Sequence, residues 1–227
     1  MNPQTIEPLI FDFPAPPPRS PRGRIIAKWF ALAFPSKQES HCNRINPNQF
    51  ASLLPAPGQI TLITGPSGAG KSSLLRILRK KSTDCLDLPR LRLPDRPLVD
   101  CFGQVPLEQV LAILSRVGLA EAWSYLRTPA ELSDGQRWRF RLAMALCKAR
   151  NRSNSILIAD EFCALLDRVT AAVVARSLRR AISIDGNLRA ILATSHDDLL
   201  GALQPDLHIR CDFGRVRLHR LNEDEAA

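Results

Sequence analysis

Ile60-Thr61-Leu62-Ile63-Thr64 followed by Gly65-Pro66-Ser67-Gly68-Ala69-Gly70-Lys71-Ser72 and then Ser73-Leu74-Leu75-Arg76-Ile77-Leu78 is the stretch on which the fold turns. Its first five residues are an apolar, β-branched run, which reads as a buried strand. The middle eight match G-x-x-x-x-G-K-[ST], and the last six open an apolar helical stripe. That order of strand, glycine-rich loop and helix is the context a phosphate-binding loop requires. Glycines let the backbone turn tightly and aim successive N–H groups at a polyphosphate, and the helix N-terminus adds positive potential at the same point. Lys71 then reaches the β- and γ-phosphates, and the Ser72 hydroxyl helps hold Mg²⁺. Ser73 is grouped with these phosphate-binding residues.

Outward from this loop, 227 residues are enough for one large α/β domain, or a domain with a small subdomain. The apolar share of 45% and charged share of 23% are those of an ordinary globular protein. A formal charge of +9 points to anionic partners: the nucleotide itself, and beyond it nucleic acid or a membrane surface. Cys42, Cys85, Cys101, Cys147, Cys163 and Cys211 form no metal-binding spacing, so free thiols in a reducing compartment are expected. No run approaches the roughly 18 apolar residues of a membrane span. With no signal-peptide pattern at the N-terminus, a cytoplasmic protein is expected.

Residues 1–23 hold Pro3, Pro8, Pro14, Pro16, Pro17, Pro18 and Pro21, a density that argues against helix and central strand alike and predicts a disordered or polyproline-like tail. Arg24 to Phe34 reads as a first strand, Pro35 to Asn48 as a loop, Gln49 to Leu54 as a short strand and Pro55 to Gly58 as a turn. Asp84 to Asp100 is expected to be irregular, and Leu98 to Phe102 to be another short strand. From Pro106 a helical stripe runs through Val110, Leu111, Leu114 and Val117 to Gly118, and Leu119 to Leu126 reads as a second short helix. Arg137 to Arg150 is helical, with Ser133 or Asp134 as its N-cap. A strand at Ile156 to Ala159 ends in Asp160 and Glu161. A helix from Arg168 to Ile182, a strand at Ala190 to Thr194 with His196 just beyond, and a hairpin from Leu207 to Leu218 follow. Glu223 to Ala227 is an acidic end.

Asp160 and Glu161 stand where ligands bind in open α/β folds, at the carboxyl end of a strand. With Asp160 holding Mg²⁺ through water, Glu161 is placed to polarise an attacking water. Ser133 and Gly135 open a helix of their own and so form a second anion site.

Taken in order, these elements resemble the ATP-binding cassette (ABC) family of ATPases across residues 24–220. The resemblance rests on Gly65 to Ser72 as the Walker A loop, Gln104 as the Q-loop glutamine and Leu132-Ser133-Asp134-Gly135-Gln136 as the signature loop. Ile156 to Glu161 then stands as Walker B, Asp167 as the D-loop aspartate and His196 as the switch histidine. It implies a P-loop NTPase with an ABC-type core, a β-rich N-terminal part and a shortened helical subdomain at about 104–150, between a tail over 1–23 and an acidic tail over 221–227. It also implies that Gln104 senses Mg²⁺ and water and that His196 faces the γ-phosphate. Two subunits would pack head to tail around two ATPs, the signature loop of one closing on the γ-phosphate held by the other. With one loop and one signature per chain, a homodimer is expected. The sequences of the two loops also resemble small ABC ATPases found beside acetyltransferase-like domains.

Some positions depart from the family pattern. Asp134 stands where glycine is commonest, Phe162-Cys163 replaces Pro-Thr, and the segment from Gln104 to Ser133 is short. Trp29, Phe34 and His41 are the candidates for stacking on adenine. The expected function is an ATP hydrolase whose dimerisation acts on a partner protein or nucleic acid. The alternatives are the ATP-binding subunit of a transporter with a separate membrane permease, and a non-catalytic nucleotide-dependent scaffold.

Overall fold

A computed structural model describes residues 9–10, 20–31, 52–82, 84–150, 152, 155–212 and 215–220. Seven strands form one sheet: β1 (Leu9–Ile10), β2 (Ile60–Thr64), β3 (Cys85–Asp87), β4 (Ile156–Ala159), β5 (Arg189–Ala193), β6 (Leu207–Asp212) and β7 (Arg215–Arg220). Their order is β1-β7-β6-β2-β5-β4-β3. The run from β6 to β3 is parallel throughout, and β7 and β1 close one edge antiparallel. All five residues of β2 are buried, as a strand flanked on both sides in a parallel sheet must be.

Helices cover both faces of the sheet. On one, Ile63, Ile158, Ile191 and Ile209 pack against Leu74, Leu75 and Leu78 of α2 (Lys71–Lys81). On the other, Leu62, Leu157 and Leu192 meet α5 (Asp134–Arg150) through Phe140 and Ala143. Val174, Leu178 and Ile182 of α6 (Arg168–Ile184) share that core. Each of these large side chains contributes about 1.5–3 kcal/mol on burial. Between β3 and α5 lie α3 (Leu107–Arg116) and the four-residue α4 (Ala122–Tyr125). Gly118, at φ +77°, stops the α3 stripe, and its N–H bonds the Ser115 carbonyl. A four-residue α7 (Leu200–Leu203) precedes β6.

Three expectations need correction. Arg24 to Phe34 does not begin as a strand: Pro21–Trp29 is helix α1, reaching back into the proline-rich segment. Pro21 takes the first helical position, where a missing N–H costs nothing, and the Ser20 side chain accepts from the Gly23 N–H as N-cap. Leu98–Phe102 is a 3-10 helix, because Asp100 N–H bonds back to Pro97 while Leu98 N–H is taken by the Arg127 carbonyl. Residues 52–54 form a turn in which the Leu53 carbonyl accepts from Thr61 Oγ1. Strand β1 also places two residues of the expected tail against the sheet, in an edge position that nearby prolines tolerate. The loop from Pro35 to Asn48, with His41 and Cys42, lies outside the described residues, as do Phe34, residues 49–51 and the acidic end.

A buried titratable group sits beside the phosphate loop. His208 on β6 shares a 2.9 Å hydrogen bond through Nε2 with Thr64 Oγ1 and stacks on His219 at 5.7 Å. Burial, reinforced by His219, pushes its pKa down to about 4; Asp197 opposes the shift and Arg210 adds to it. The unfolded chain therefore takes up this proton first, near pH 6.5, so the folded state loses stability as pH falls from 6.5 towards 4. The loss is about 2 kcal/mol by pH 5. His208→Gln is expected to flatten the denaturant midpoint between pH 7 and 5; an undiminished slope would place the titration elsewhere.

Candidate functional site

The loop leaves β2 at Gly65, whose φ of +137° and contact with β6 exclude a side chain: a Cβ there would overlap the Cys211 carbonyl oxygen and lie 3.0 Å from the carbonyl carbon. Gly68 and Gly70 also have positive φ, and Gly70 is the N-cap of α2 without any side-chain capping bond. Leu74 N–H makes the bond to Gly70 O at 2.9 Å, which leaves the N–H groups of residues 70–73 free of intrahelical acceptors. A loop of glycines thus presents uncapped donors at a helix N-terminus. Lys71 folds back over it, its Nζ donating to the carbonyls of Gly65 at 2.8 Å and Pro66 at 2.9 Å.

Ser72 and Asp160 line one cleft of about 230 Å³. Asp160 reaches it because β4 ends at Ala159, two places along the sheet from β2. Its Oδ1 accepts from the Glu161 N–H at 3.1 Å. Glu161 has φ +52° and Cys163 φ +59°, and the Phe162 N–H donates to Ala193 O at 2.7 Å. These bonds turn the chain sharply at the strand end, burying Phe162 and leaving Glu161 exposed. Phe162 is fully buried, and its ring meets Trp138 edge-on at 5.5 Å.

His196 follows β5 on the other side of β2 from the β6 edge, and its N–H donates to Thr194 Oγ1 at 3.2 Å. Arg210 holds the neighbouring Asp197 at 3.3 Å, and Arg168 pairs with Asp198. Arg168 is the first residue of α6, so the histidine loop is tied to the start of that helix. Asp167 is the helix N-cap, accepting from Thr170 N–H at 2.9 Å, and its hydrogen bonds to Thr170 hold the carboxyl below the usual range.

The loop before α5 forms a reciprocal cap, Ser133 N–H donating to Gln136 Oε1 at 3.1 Å and Gln136 N–H to Ser133 Oγ at 3.2 Å. Arg137 secures it from below, donating to the carbonyls of Pro129, Ala130 and Leu132. The same guanidinium pairs with Asp134 at 3.1 Å. The acidic departure at Asp134 is thereby engaged by a cation within its own helix. Gly135 fits closely: a Cβ would sit 3.1 Å from the Leu165 carbonyl oxygen and 3.2 Å from Leu166, tighter than ordinary contact, so this loop packs on the segment leading to Asp167.

The structure therefore brings Ser72 and Asp160 to one cleft and joins the Gly135 loop to the Asp167 segment. Gln104 is not joined to that cleft among the described residues; it is exposed on the turn before α3. Trp29, the adenine-stacking candidate that is described, lies on α1 and is 75% exposed. Reading by motif missed Arg76, Arg79, Asp87 and Arg90, which line the cleft with Ser72. Helical spacing was the available signal for two of them, since positions 72, 76 and 79 share a face of α2. The Arg79–Asp87 pair, at 2.9 Å, depends on β3 lying beside that helix.

No family model matches the chain. Curated relatives do. The lipoprotein-releasing system ATP-binding protein LolD of Maricaulis maris is 30% identical over 192 residues, 67% of this chain and 81% of the relative. The hemin import ATP-binding protein HmuV of Pseudomonas putida is 29% identical over 208 residues, 75% of this chain and 78% of the relative. The zinc import ATP-binding protein ZnuC of Cereibacter sphaeroides is 36% identical over 167 residues, 64% and 65% of the two. Among solved structures, the dimeric post-hydrolysis state of the ATP-binding cassette MJ0796, bound to ADP and Pi, superposes with a TM-score of 0.57 at 20% identity, over 74% of this chain and 87% of that one. The last comparison speaks for the fold.

Proposed function

The chain belongs to the ATP-binding cassette ATPases and hydrolyses ATP, and from that premise we propose that it works as a head-to-tail dimer coupled to a membrane permease. The observation that carries the coupling is the set of relatives, whose printed names are those of lipoprotein-releasing, hemin-import and zinc-import ATP-binding proteins. The finer resemblance to acetyltransferase-associated ATPases is not needed to account for them. Among the described residues no helix is long and apolar enough to cross a membrane; in this reading the permease is taken to be a separate chain. The ATPase domain is centred on residues 24–220, with β1 added at its sheet edge, and works on the cytoplasmic side.

In this reading the N–H groups of Gly65 to Ser73 and the Lys71 ammonium bind the polyphosphate of ATP. Ser72 and Asp160 offer hydroxyl and carboxylate oxygens to one cleft, the hard donors that suit Mg²⁺. When bound, Mg²⁺ supplies positive charge to the phosphate oxygens. Glu161 orients a water for in-line attack on the γ-phosphorus; the bond from that phosphorus to the bridging oxygen breaks, ADP leaves, and the water's protons pass to Glu161 and phosphate. His196 borders the γ-phosphate and senses its loss; Gln104, expected to share that role, stands outside the cleft. Ser133, Gly135 and Gln136 of one subunit close on the ATP of the other, with Asp167 at the shared boundary.

Glu161→Gln keeps one side-chain oxygen to orient water, as an amide carbonyl, and loses the basicity. The variant is expected to slow turnover on the order of 10²-fold or more and to accumulate as an ATP-bound dimer in sedimentation velocity. A variant that stays monomeric at saturating ATP would sink the sandwich. Co-purification of the trapped dimer from solubilised membranes tests the permease; recovery only with soluble protein or nucleic acid would replace it with the soluble reading.

A further inference from the structure

Helix α1 carries apolar side chains that the domain does not cover. Ile25 is 48% exposed, Ile26 44%, Trp29 75% and Phe30 69%, and no residue of the helix is buried. At 100° per residue, Ile25 with Trp29 and Ile26 with Phe30 make adjacent i, i+4 pairs on one side, with Arg22 at that side's N-terminal end, while Arg24 and Lys28 form an i, i+4 pair on the other. Residues 13–38 contain Arg19, Arg22, Arg24, Lys28 and Lys37 and no Asp or Glu.

We propose that α1 is an interfacial helix that lays Ile25, Ile26, Trp29 and Phe30 into the surface of an anionic lipid bilayer, with Arg24 and Lys28 on the headgroups. Two independent features select lipid. The first is the unbroken positive charge, complementary to an anionic leaflet, which attracts each Lys or Arg near its surface. The second is that the cations share a helix with aliphatic and indole side chains, and Trp and Phe are among the residues that interfacial helices bury on their apolar face. A nucleic-acid face would use the cations and leave Ile25 and Ile26 without a role.

The nine residues span about 14 Å, too short to cross a bilayer and long enough to lie along it. A helix of this size makes a weak and reversible anchor, strongest where a second contact already holds the protein at the membrane. The proposal is independent of the permease reading: lipid binding is read on the isolated chain, and turnover is read separately.

The test is flotation of the full chain with vesicles of phosphatidylcholine alone and of phosphatidylcholine with phosphatidylglycerol. Binding is expected to the mixed vesicles, weakened about tenfold or more by Arg24→Glu with Lys28→Glu and by a comparable factor for Ile25→Ser with Ile26→Ser. Both double variants should keep the parent's thermal midpoint and its ATPase rate without vesicles, because none of the four side chains is buried in the fold. Equal binding to both vesicle types, no binding to either, or an isoleucine variant that binds as well as the parent would overturn the proposal. Loss confined to the charge variant, with equally tight binding to a short DNA duplex, would do so in favour of nucleic acid.

Discussion

Lys71→Ala is expected to abolish ATP turnover while leaving the domain folded. The Lys71 side chain contributes nothing to either hydrophobic core; it leaves the first turn of α2 and folds over the loop, donating to the carbonyls of Gly65 and Pro66. Removing it costs the loop one part-buried and one exposed hydrogen bond, about 0.5 kcal/mol each once water reaches the freed carbonyls. Local helix packing through Leu74, Leu75 and Leu78 is untouched. Catalysis loses more. Charge that develops on the transferring phosphoryl group is met by the ammonium, and a group that stabilises such charge typically carries 10²–10³-fold in rate. Phosphate release should therefore fall on the order of 10³-fold, beside an unchanged far-ultraviolet spectrum and a thermal midpoint near that of the parent. A rate within about threefold of the parent would remove Lys71 from the phosphate site.

The contrast between what was legible and what was not follows the range over which each interaction acts. From Ile60 to Leu78 every signal is local: β-branched burial, glycines at the turn, a helical stripe directly after. The strand before Asp160 and the stripe of α6 are legible for the same reason. Arg24 to Phe34 is misread because a short run of Ile, Ala, Trp and Phe fits both periods, and the deciding residues, Ser20 and Pro21, stand just before it. Leu98 to Phe102 fails differently. Its apolar residues are buried as expected, but Leu98 N–H finds the Arg127 carbonyl where a strand would need a neighbour.

The site divides along the same line. Motif order names Ser72, Asp160, Ser133 and Asp167. It is silent on how Asp134 is accommodated, which depends on Arg137 one helical turn away, and on the packing of Gly135 against Leu165. The left-handed φ values of Glu161 and Cys163 also lack a signal, since neither residue type favours that region.

Gly65→Ala is expected to be strongly destabilising for a change of one methyl group. Gly65 has φ +137°, a region closed to residues with a side chain, and strain there costs on the order of 1–3 kcal/mol. The larger part comes from the close approach to β6. The added Cβ would overlap the carbonyl oxygen of Cys211, a backbone atom in a strand paired with Val216 on one side. No rotamer relieves a clash with backbone. Either β6 moves away from β2, breaking the register of Thr64 with Arg210 and exposing the Thr64–His208 bond, or the loop shifts and its N–H groups lose their common focus. The expected loss is about 4 kcal/mol or more, a large part of a domain's whole stability, and a midpoint lowered by roughly 8–16 °C. Gly201→Ala supplies the control. Gly201 lies in α7 with open space around its would-be Cβ, and there the same methyl removes backbone freedom from the unfolded chain, a stabilising change of about 0.4–1 kcal/mol. Thermal unfolding of the two variants side by side should therefore show shifts of opposite sign. A Gly65→Ala midpoint within about 2 °C of the parent would mean that the loop does not leave β2 against the Cys211 carbonyl, and the geometry assigned to the phosphate site would fall with it.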